Sequence, residues 1–206
     1  MRLVDRDLLI LKEIGRWQII LGRHIKKLVN FTGSRACDRR LKLLLDNNYI
    51  ERKKILYGVP YIYSLTHKGR ILLGLNKRED KIRVDRITHD IYVLDTVIYF
   101  TSKYQLPLKD IESEKELHIK DGFGVRKHQP DYVMKINGKR YAVEVELNPK
   151  AKIKLEKNLR DNYMTYDGQF WFTNDNRVFE LITNLTKEYA NIRPLRLEEV
   201  INYVKR

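Results

Sequence analysis

The chain has 206 residues and carries 41 Lys and Arg against 27 Asp and Glu, a formal net charge of +14 at pH 7. No apolar run approaches the roughly 20 residues that span a bilayer, and the charged start from Arg2 lacks a secretory signal, so we expect a cytoplasmic protein. The single cysteine, Cys37, excludes an intrachain disulfide and a cysteine zinc set, and it is expected as a semi-buried helix residue.

The positive charge is concentrated in the first part of the chain. Residues 1–86 hold 21 Lys and Arg against 9 Asp and Glu, a net charge of +12, whereas residues 87–206 hold 20 against 18, a net charge of +2. Charge that served only solubility would be spread more evenly. The distribution predicts an N-terminal module that binds a polyanion and a nearly neutral C-terminal module.

The N-terminal pattern predicts three helices followed by a hairpin. The expected elements are helices over residues 5–14 and 21–29, a third helix capped by Ser34, strands over 49–56 and 60–65, and a helix over 68–73. This order is typical of a winged helix-turn-helix, here residues 1–75. In such a module the third helix can lie in the major groove while the hairpin touches the backbone.

Basic residues lie at both of these places. The third helix carries Arg35, Arg39, Arg40 and Lys42, and the hairpin carries Arg52, Lys53 and Lys54. We therefore expect these seven side chains to bind DNA. The alternative for the hairpin run is a solvated wing without a ligand.

The C-terminal part alternates strands and helices. After a polar linker over residues 76–86, the expected elements are a helix over 87–104, strands over 112–119, 130–136 and 140–147, a helix over 150–166, a strand over 170–173, a helix over 176–189, a strand over 192–195 and a helix over 197–204. Asn137-Gly138 is a strong hairpin signal. The pattern predicts a mixed sheet flanked by helices over residues 87–206.

Three acidic residues are expected to converge on this sheet. Glu144 and Glu146 point to the same face of their strand, and the hairpin makes the strand that begins near Asp131 its neighbour. Two carboxylates about 4 Å apart repel by roughly 4 kcal/mol at an effective dielectric constant of 20. Mg²⁺ or Mn²⁺ would remove this conflict, because hard cations prefer carboxylate oxygens. The alternative is a pair of solvated glutamates on an edge strand.

Two further residues are candidates for the same site. Glu114, on the strand expected before it, would be a fourth acid. His128 could orient a phosphate or Asp131, or be a strand-end histidine bonded to backbone. Tyr163 is expected to pack on its helix rather than act as a nucleophile, since no metal-binding histidine triad accompanies it.

Pro130-Asp131 followed by Glu144-Val145-Glu146 resembles the PD-(D/E)XK phosphodiesterase pattern. With the winged helix and the Lys-rich helix that contains Tyr163, nearly the whole chain resembles the plasmid replication-relaxation family, which is related to relaxase-like and accessory proteins of mobile elements. The resemblance implies a restriction-endonuclease-like αβββαβ domain. It also implies that Asp131 and Glu144 hold the metal, with the carbonyl oxygen of Val145 as a further ligand.

Glu146 departs from that pattern because it occupies the position of the lysine. A second carboxylate there can bind metal or activate water. Alternatively, Lys150 or Lys152 reaches into the site from the next helix, or the site no longer cuts.

Two functions therefore compete. The first is a metal-dependent nickase that processes plasmid or mobile-element DNA; the second is a non-catalytic DNA-binding accessory factor or transcription regulator. Besides double-stranded DNA, relaxase or replication proteins and a second copy of the chain are the expected partners. An RNA-binding protein is a weaker alternative, because no aromatic pattern for reading single strands is present.

Overall fold

The computed structural model describes residues 2–17, 19–75, 82–122, 128–148 and 152–205. The chain divides into two compact units, Met1–Leu94 (unit 1) and Asp95–Arg206 (unit 2). The class is α/β, as predicted. Of the linker predicted over residues 76–86, residues 76–81 lie outside the described ranges, and Val84–Arg86 is a 3₁₀ turn. No helix in the described ranges is long and apolar enough to cross a membrane.

Unit 1 combines helices with a small antiparallel sheet. Its elements are α1 (Asp5–Trp17), β1 (Ile20–Leu21), α2 (Gly22–Leu28), α3 (Ser34–Asp46), β2 (Ile50–Lys53), β3 (Ile62–Leu65), α4 (His67–Leu72) and the beginning of α5 (Ile87–Tyr104). The strand order is β1-β3-β2. The short β1 was not predicted, and the hairpin strands are shorter than expected. The predicted cap of α3 is wrong by one residue, because Gly33 caps the helix and Ser34 is its first residue.

A buried ion pair joins α1 to α3 in unit 1. The carboxylate of Asp7 is fully buried, and it accepts hydrogen bonds from Nε and Nη2 of Arg40 and from the backbone N–H of Val4. Burial alone would raise the pKa of Asp7, but the bonds from Arg40 and Val4 outweigh it and hold the pKa below its usual value. Arg40, expected to bind DNA, is therefore committed to the fold of unit 1.

Unit 2 is built on one five-stranded sheet. Its elements are the remainder of α5, β4 (Ile111–Ser113), α6 (Glu114–Asp121), β5 (Tyr132–Ile136), β6 (Lys139–Val145), α7 (Lys152–Thr165), β7 (Gly168–Thr173), α8 (Asn176–Leu185), β8 (Ile192–Arg196) and α9 (Leu197–Lys205). The strand order is β4-β5-β6-β7-β8, with the first two pairs antiparallel and the last two parallel. The strand predicted over residues 112–119 is wrong after Ser113, where α6 begins.

Helices cover both faces of this sheet. On one face Trp171 packs with Leu155 and Leu159 of α7 and with residues of α8. On the other face the ring of Phe172 lies 5.7 Å from that of Phe100 on α5. Because side chains alternate along a strand, each residue of β6 and β7 belongs to a defined face, and the face toward α7 is the one that carries the candidate site.

The Asp7–Arg40 pair generates a prediction about stability. Replacing Arg40 by Ala leaves a buried carboxylate without its partner and should lower the free energy of unfolding by about 3 kcal/mol at neutral pH. Because the pKa of Asp7 is lowered by folding, the stabilisation is complete above its usual value of 3.8 and is lost as the pH falls. Urea unfolding at pH 7 and pH 3 measures both effects.

The neighbouring Arg39 provides the control, because it is exposed on the same helix. Arg39→Ala should change the free energy of unfolding by no more than about 0.5 kcal/mol. Equal stability of the two variants at pH 7 would show that the ion pair does not support unit 1.

Candidate functional site

The hairpin of β5 and β6 sets the position of the acidic residues. Asn137 and Gly138 have φ values of 50° and 81°, the left-handed conformations that a two-residue turn requires. The register pairs Tyr132 with Val143, so Asp131 lies opposite Glu144, one residue further along. The prediction that these two strands are neighbours is confirmed.

Glu144 is buried among polar partners on the face toward α7. It is 4% exposed. Its Oε1 accepts a hydrogen bond from Nδ2 of Asn162 at 3.0 Å and lies 2.8 Å from Nε2 of His128. The other oxygen of Glu144, Oε2, accepts no hydrogen bond from the residues that the structure describes. Burial raises the pKa of Glu144, the charge of Asp131 raises it further, and the bonds to His128 and Asn162 only partly oppose this.

Asp131 lies at the end of the β5–β6 pairing. Its Oδ2 accepts a hydrogen bond from the backbone N–H of Val145 at 2.7 Å, which takes the place of a ladder bond beyond the start of β5. Its carbonyl oxygen accepts the N–H of Glu114 at 3.0 Å. Asp131 is thus held by Val145 of β6 and by the first residue of α6, while its charge acts on Glu144.

Glu146 follows the last residue of β6. Its N–H donates to the carbonyl oxygen of Phe172 at 2.8 Å, so the pairing with β7 continues and the alternation places Glu146 on the same face as Glu144. Glu146 is 5% exposed. Within the described residues, no group of three or more His, Cys, Asp or Glu side chains is close enough to hold a metal ion.

The remaining candidates lie at the margin of this site. Glu114 is the first residue of α6 rather than a strand residue, because Ser113 caps the helix, and its Oε1 lies 3.8 Å from Nε2 of His118. His128 contacts Glu144. Lys152 is exposed at the start of α7, with Nζ 3.7 Å from Oε1 of Glu156. Lys150 lies outside the described residues.

The polar surroundings of Glu144 include one residue, Asn162, that the sequence analysis missed. Asn162 bonds Glu144 directly, and the hydroxyl of Tyr166 donates to Oε1 of Gln129 at 3.1 Å. Burial raises the pKa of Tyr166. The sequence signal for Asn162 was that polar residues stand between the leucines of the inner face of α7. Polar residues exposed to solvent would give the same pattern. Tyr163, by contrast, packs on Tyr189 with ring centroids 4.8 Å apart, as expected.

The basic residues of unit 1 differ in their surroundings. Arg35, Arg39 and Lys42 are exposed on α3. A groove of about 530 Å³ lies between α3 and the small sheet, with Lys42 and Arg52 in its lining. Unlike these, Arg40 is bound by Asp7.

The hairpin cations are exposed but partly engaged. The guanidinium of Arg52 lies 4.7 Å from the ring centroid of Tyr61, and Nζ of Lys53 lies 2.6 Å from Oε1 of Glu51. Nζ of Lys54 donates to the carbonyl oxygen of Val59 at 2.6 Å, which ties the two sides of the hairpin together.

No family model matches this chain, and comparisons with curated proteins and with solved structures also find no match. The resemblance to the replication-relaxation family therefore stays a prediction.

Because the pKa of Glu144 is raised in the folded protein, its charge should make the folded state less stable at neutral pH. Glu144→Gln keeps an oxygen that can accept from Asn162 but removes the buried charge, so the variant should melt at a higher temperature than the wild type at pH 7. A folded-state pKa above the usual 4.5 means that the wild type loses stability as the pH rises through that range. The difference in melting temperature should therefore shrink toward pH 4.

Glu144→Ala is the matched control, because it removes the hydrogen bonds as well as the charge. It should be less stable than Glu144→Gln at every pH. A Glu144→Gln variant that melts below the wild type at pH 7 would contradict the interpretation that burial of the charge is unfavourable.

Proposed function

We propose that this chain is a DNA-binding phosphodiesterase that depends on Mg²⁺ or Mn²⁺ and nicks plasmid or mobile-element DNA. One observation carries the proposal: Asp131 and Glu144 lie opposite each other at the end of the β5–β6 pairing, and burial, with the charge of Asp131 as a further cause, raises the pKa of Glu144. Such an electrostatic conflict in a fixed pair of hard oxygen ligands is relieved by a divalent cation.

Residues at the end of the β5–β6 pairing would supply the ligands of such an ion. Asp131 and Glu144 would hold it, with the carbonyl oxygen of Val145 as a further ligand, and Glu146 lies on the same face of the sheet. His128 and Asn162 fix Oε1 of Glu144, which leaves Oε2 toward the ligand. A bound cation would supply Lewis acidity and an activated water for attack on phosphorus. The hairpin followed by parallel strands supports a restriction-endonuclease-like interpretation of this sheet.

Unit 1 supports binding of duplex DNA. Its order of three helices followed by two antiparallel strands, with an added short strand, supports the winged helix interpretation. Arg35, Arg39 and Lys42 lie at spacings of four and three residues and therefore share the exposed face of α3. These three cations would contact the phosphates of the DNA.

A second candidate is a DNA-binding factor without catalysis. It is favoured by the carboxylate of Glu146 in place of the lysine of the nuclease pattern, and by the outward pair of Lys152 with Glu156. No cation from the described residues then neutralises the phosphate at the site. This alternative predicts the same DNA binding and no cleavage.

Cleavage distinguishes the two candidates. With Mn²⁺, the wild type should convert supercoiled plasmid to open circles, and Glu144→Ala and Asp131→Asn should each reduce the rate to that measured in EDTA. Agarose gels follow the conversion. Glu180→Ala, an exposed acid on α8, should cut as the wild type does. Equal rates for all four proteins would remove the assignment of the site, and absence of cutting by the wild type would favour the second candidate.

DNA binding is tested separately from cleavage. Arg39→Ala should weaken binding of a duplex and reduce the slope of log K against log salt by about 1, because one phosphate contact is lost. Fluorescence anisotropy between 50 and 200 mM salt measures both. Arg177→Ala, an exposed arginine of unit 2, is the control. A slope that Arg39→Ala leaves unchanged would argue against α3 as the DNA-binding helix.

A further inference from the structure

Tyr57 lies at the tip of the hairpin in unit 1 and is fully exposed (104%). It belongs to a turn that is closed by a hydrogen bond from the N–H of Val59 to the carbonyl oxygen of Leu56 at 3.4 Å. Gly58 supplies the left-handed residue of this turn, with a φ of 77°. A single exposed aromatic side chain needs no explanation by itself, so the surroundings of this ring decide what it can do.

The chain on both sides of the ring is anchored to unit 1. Ile55, Leu56 and Val59 pack against a buried apolar cluster of this unit. The cluster comprises Ile19, Leu21, Ile62, Ile87 and Ile91. Nζ of Lys54 also donates to the carbonyl oxygen of Val59 at 2.6 Å, across the hairpin. The turn is therefore held from both sides while Tyr57 faces solvent, and an anchored side chain loses little conformational freedom when it binds a ligand.

Cations and a second aromatic ring line one face of the same hairpin. The register places Arg52 opposite Tyr63, and Lys54 and Tyr61 each lie two residues nearer the tip, on the same face. The guanidinium of Arg52 lies 4.7 Å and Nζ of Lys54 lies 5.8 Å from the ring centroid of Tyr61. Tyr61 is 45% exposed. Positive charge and aromatic surface therefore lie side by side along the hairpin toward its tip.

This combination is typical of surfaces that bind unpaired nucleotides. Cations bind the phosphates of the strand, and exposed aromatic rings stack on its bases. In a regular duplex the faces of the bases are covered by their neighbours, so a ring at the tip needs a base that has left the stack. The net charge of +12 over residues 1–86 favours a nucleic acid as the occupant over a protein or an uncharged ligand.

We propose that the hairpin holds an unpaired base of DNA, with Tyr57 stacked on the base and with Arg52 and Lys54 on the phosphates of the same strand. The proposal rests on the function proposed above, because it starts from DNA that is bound by α3. It names the substrate class of that function as duplex DNA that contains unpaired bases, such as a melted segment. Stacking does not require a particular base, so the hairpin would recognise the unpaired state rather than a sequence.

Two DNA duplexes that differ only in an internal mismatch bubble test this proposal. Fluorescence anisotropy in EDTA measures the affinity of the full chain for each duplex without cleavage. The wild type should bind the bubble about tenfold more tightly than the paired duplex, as expected from one base–aromatic stack. A 5-iododeoxyuridine in the bubble forms a cross-link on illumination with an aromatic ring stacked on it. Peptide mapping should place this cross-link on Tyr57.

Variants of Tyr57 separate stacking from the other contacts. Tyr57→Ala should lower the preference for the bubble to less than about twofold, because the stack is lost, and should remove the cross-link. Tyr57→Trp keeps a ring that can stack and should keep the preference. Because Tyr57 is fully exposed, neither change should alter the melting temperature. Tyr203→Ala, which replaces an exposed tyrosine of unit 2, is the control and should behave as the wild type.

The outcomes distinguish this inference from the proposed function. Equal affinity of the wild type for both duplexes overturns the inference and leaves the proposed function in place. A preference that Tyr57→Ala keeps, or a cross-link on any other residue, also overturns it. If an RNA strand of the bubble sequence binds more tightly than the bubble and Tyr57→Ala loses that binding, the assignment to DNA is wrong. A wild type that binds neither duplex overturns the DNA binding proposed above and this inference with it.

Discussion

The pairing of β5 with β6 across Asn137-Gly138 determines where the acidic side chains of unit 2 lie. The left-handed conformations of both turn residues fix a two-residue loop, and this loop fixes the register that places Asp131 opposite Glu144. A slip of one residue would move Glu144 to the face covered by α5 and Val143 to the face covered by α7. Neither the contact with His128 nor the bond from Asn162 would then form. The geometry of the site therefore follows from the backbone of the turn more than from any contact between the acids.

Two of the buried acids, Asp7 and Glu144, have opposite environments. Asp7 meets a guanidinium that holds its pKa below the usual value, so its charge supports the fold of unit 1. Glu144 meets an amide, a histidine and the negative charge of Asp131, and its pKa is raised. A buried carboxylate whose charge is unfavourable in the folded state is typical of a functional site rather than of a structural ion pair. This contrast favours a ligand for unit 2 and explains why we expect neutralisation of Glu144 to stabilise the fold.

The sequence predicts much of the fold and the core of the site for identifiable reasons. The hairpin, the acids at the ends of its strands and the helix Ile87–Tyr104 follow from turn residues and apolar spacing, and all three agree with the structure. The strand expected around Glu114 fails because Ser113 and Glu116 form a reciprocal cap that starts a helix, which local β propensity does not reveal. Asn162 was missed because an asparagine on a helix is assumed to be solvated, and only the crossover from β6 to β7 places it against Glu144. Its role depends on tertiary packing that no local pattern contains.

The same limit applies to the charge of unit 1. Counting Lys and Arg correctly locates an excess of positive charge but does not tell which cations are available to a ligand. Arg39 and Arg40 are adjacent in sequence, yet a rotation of about 100° between successive helical residues leaves one exposed and brings the other to the buried Asp7. Lys53 is likewise partly engaged by Glu51. The electrostatic attraction of DNA would depend on the whole charge of the unit, whereas the position of the duplex would be set by the exposed cations of α3, Arg35, Arg39 and Lys42.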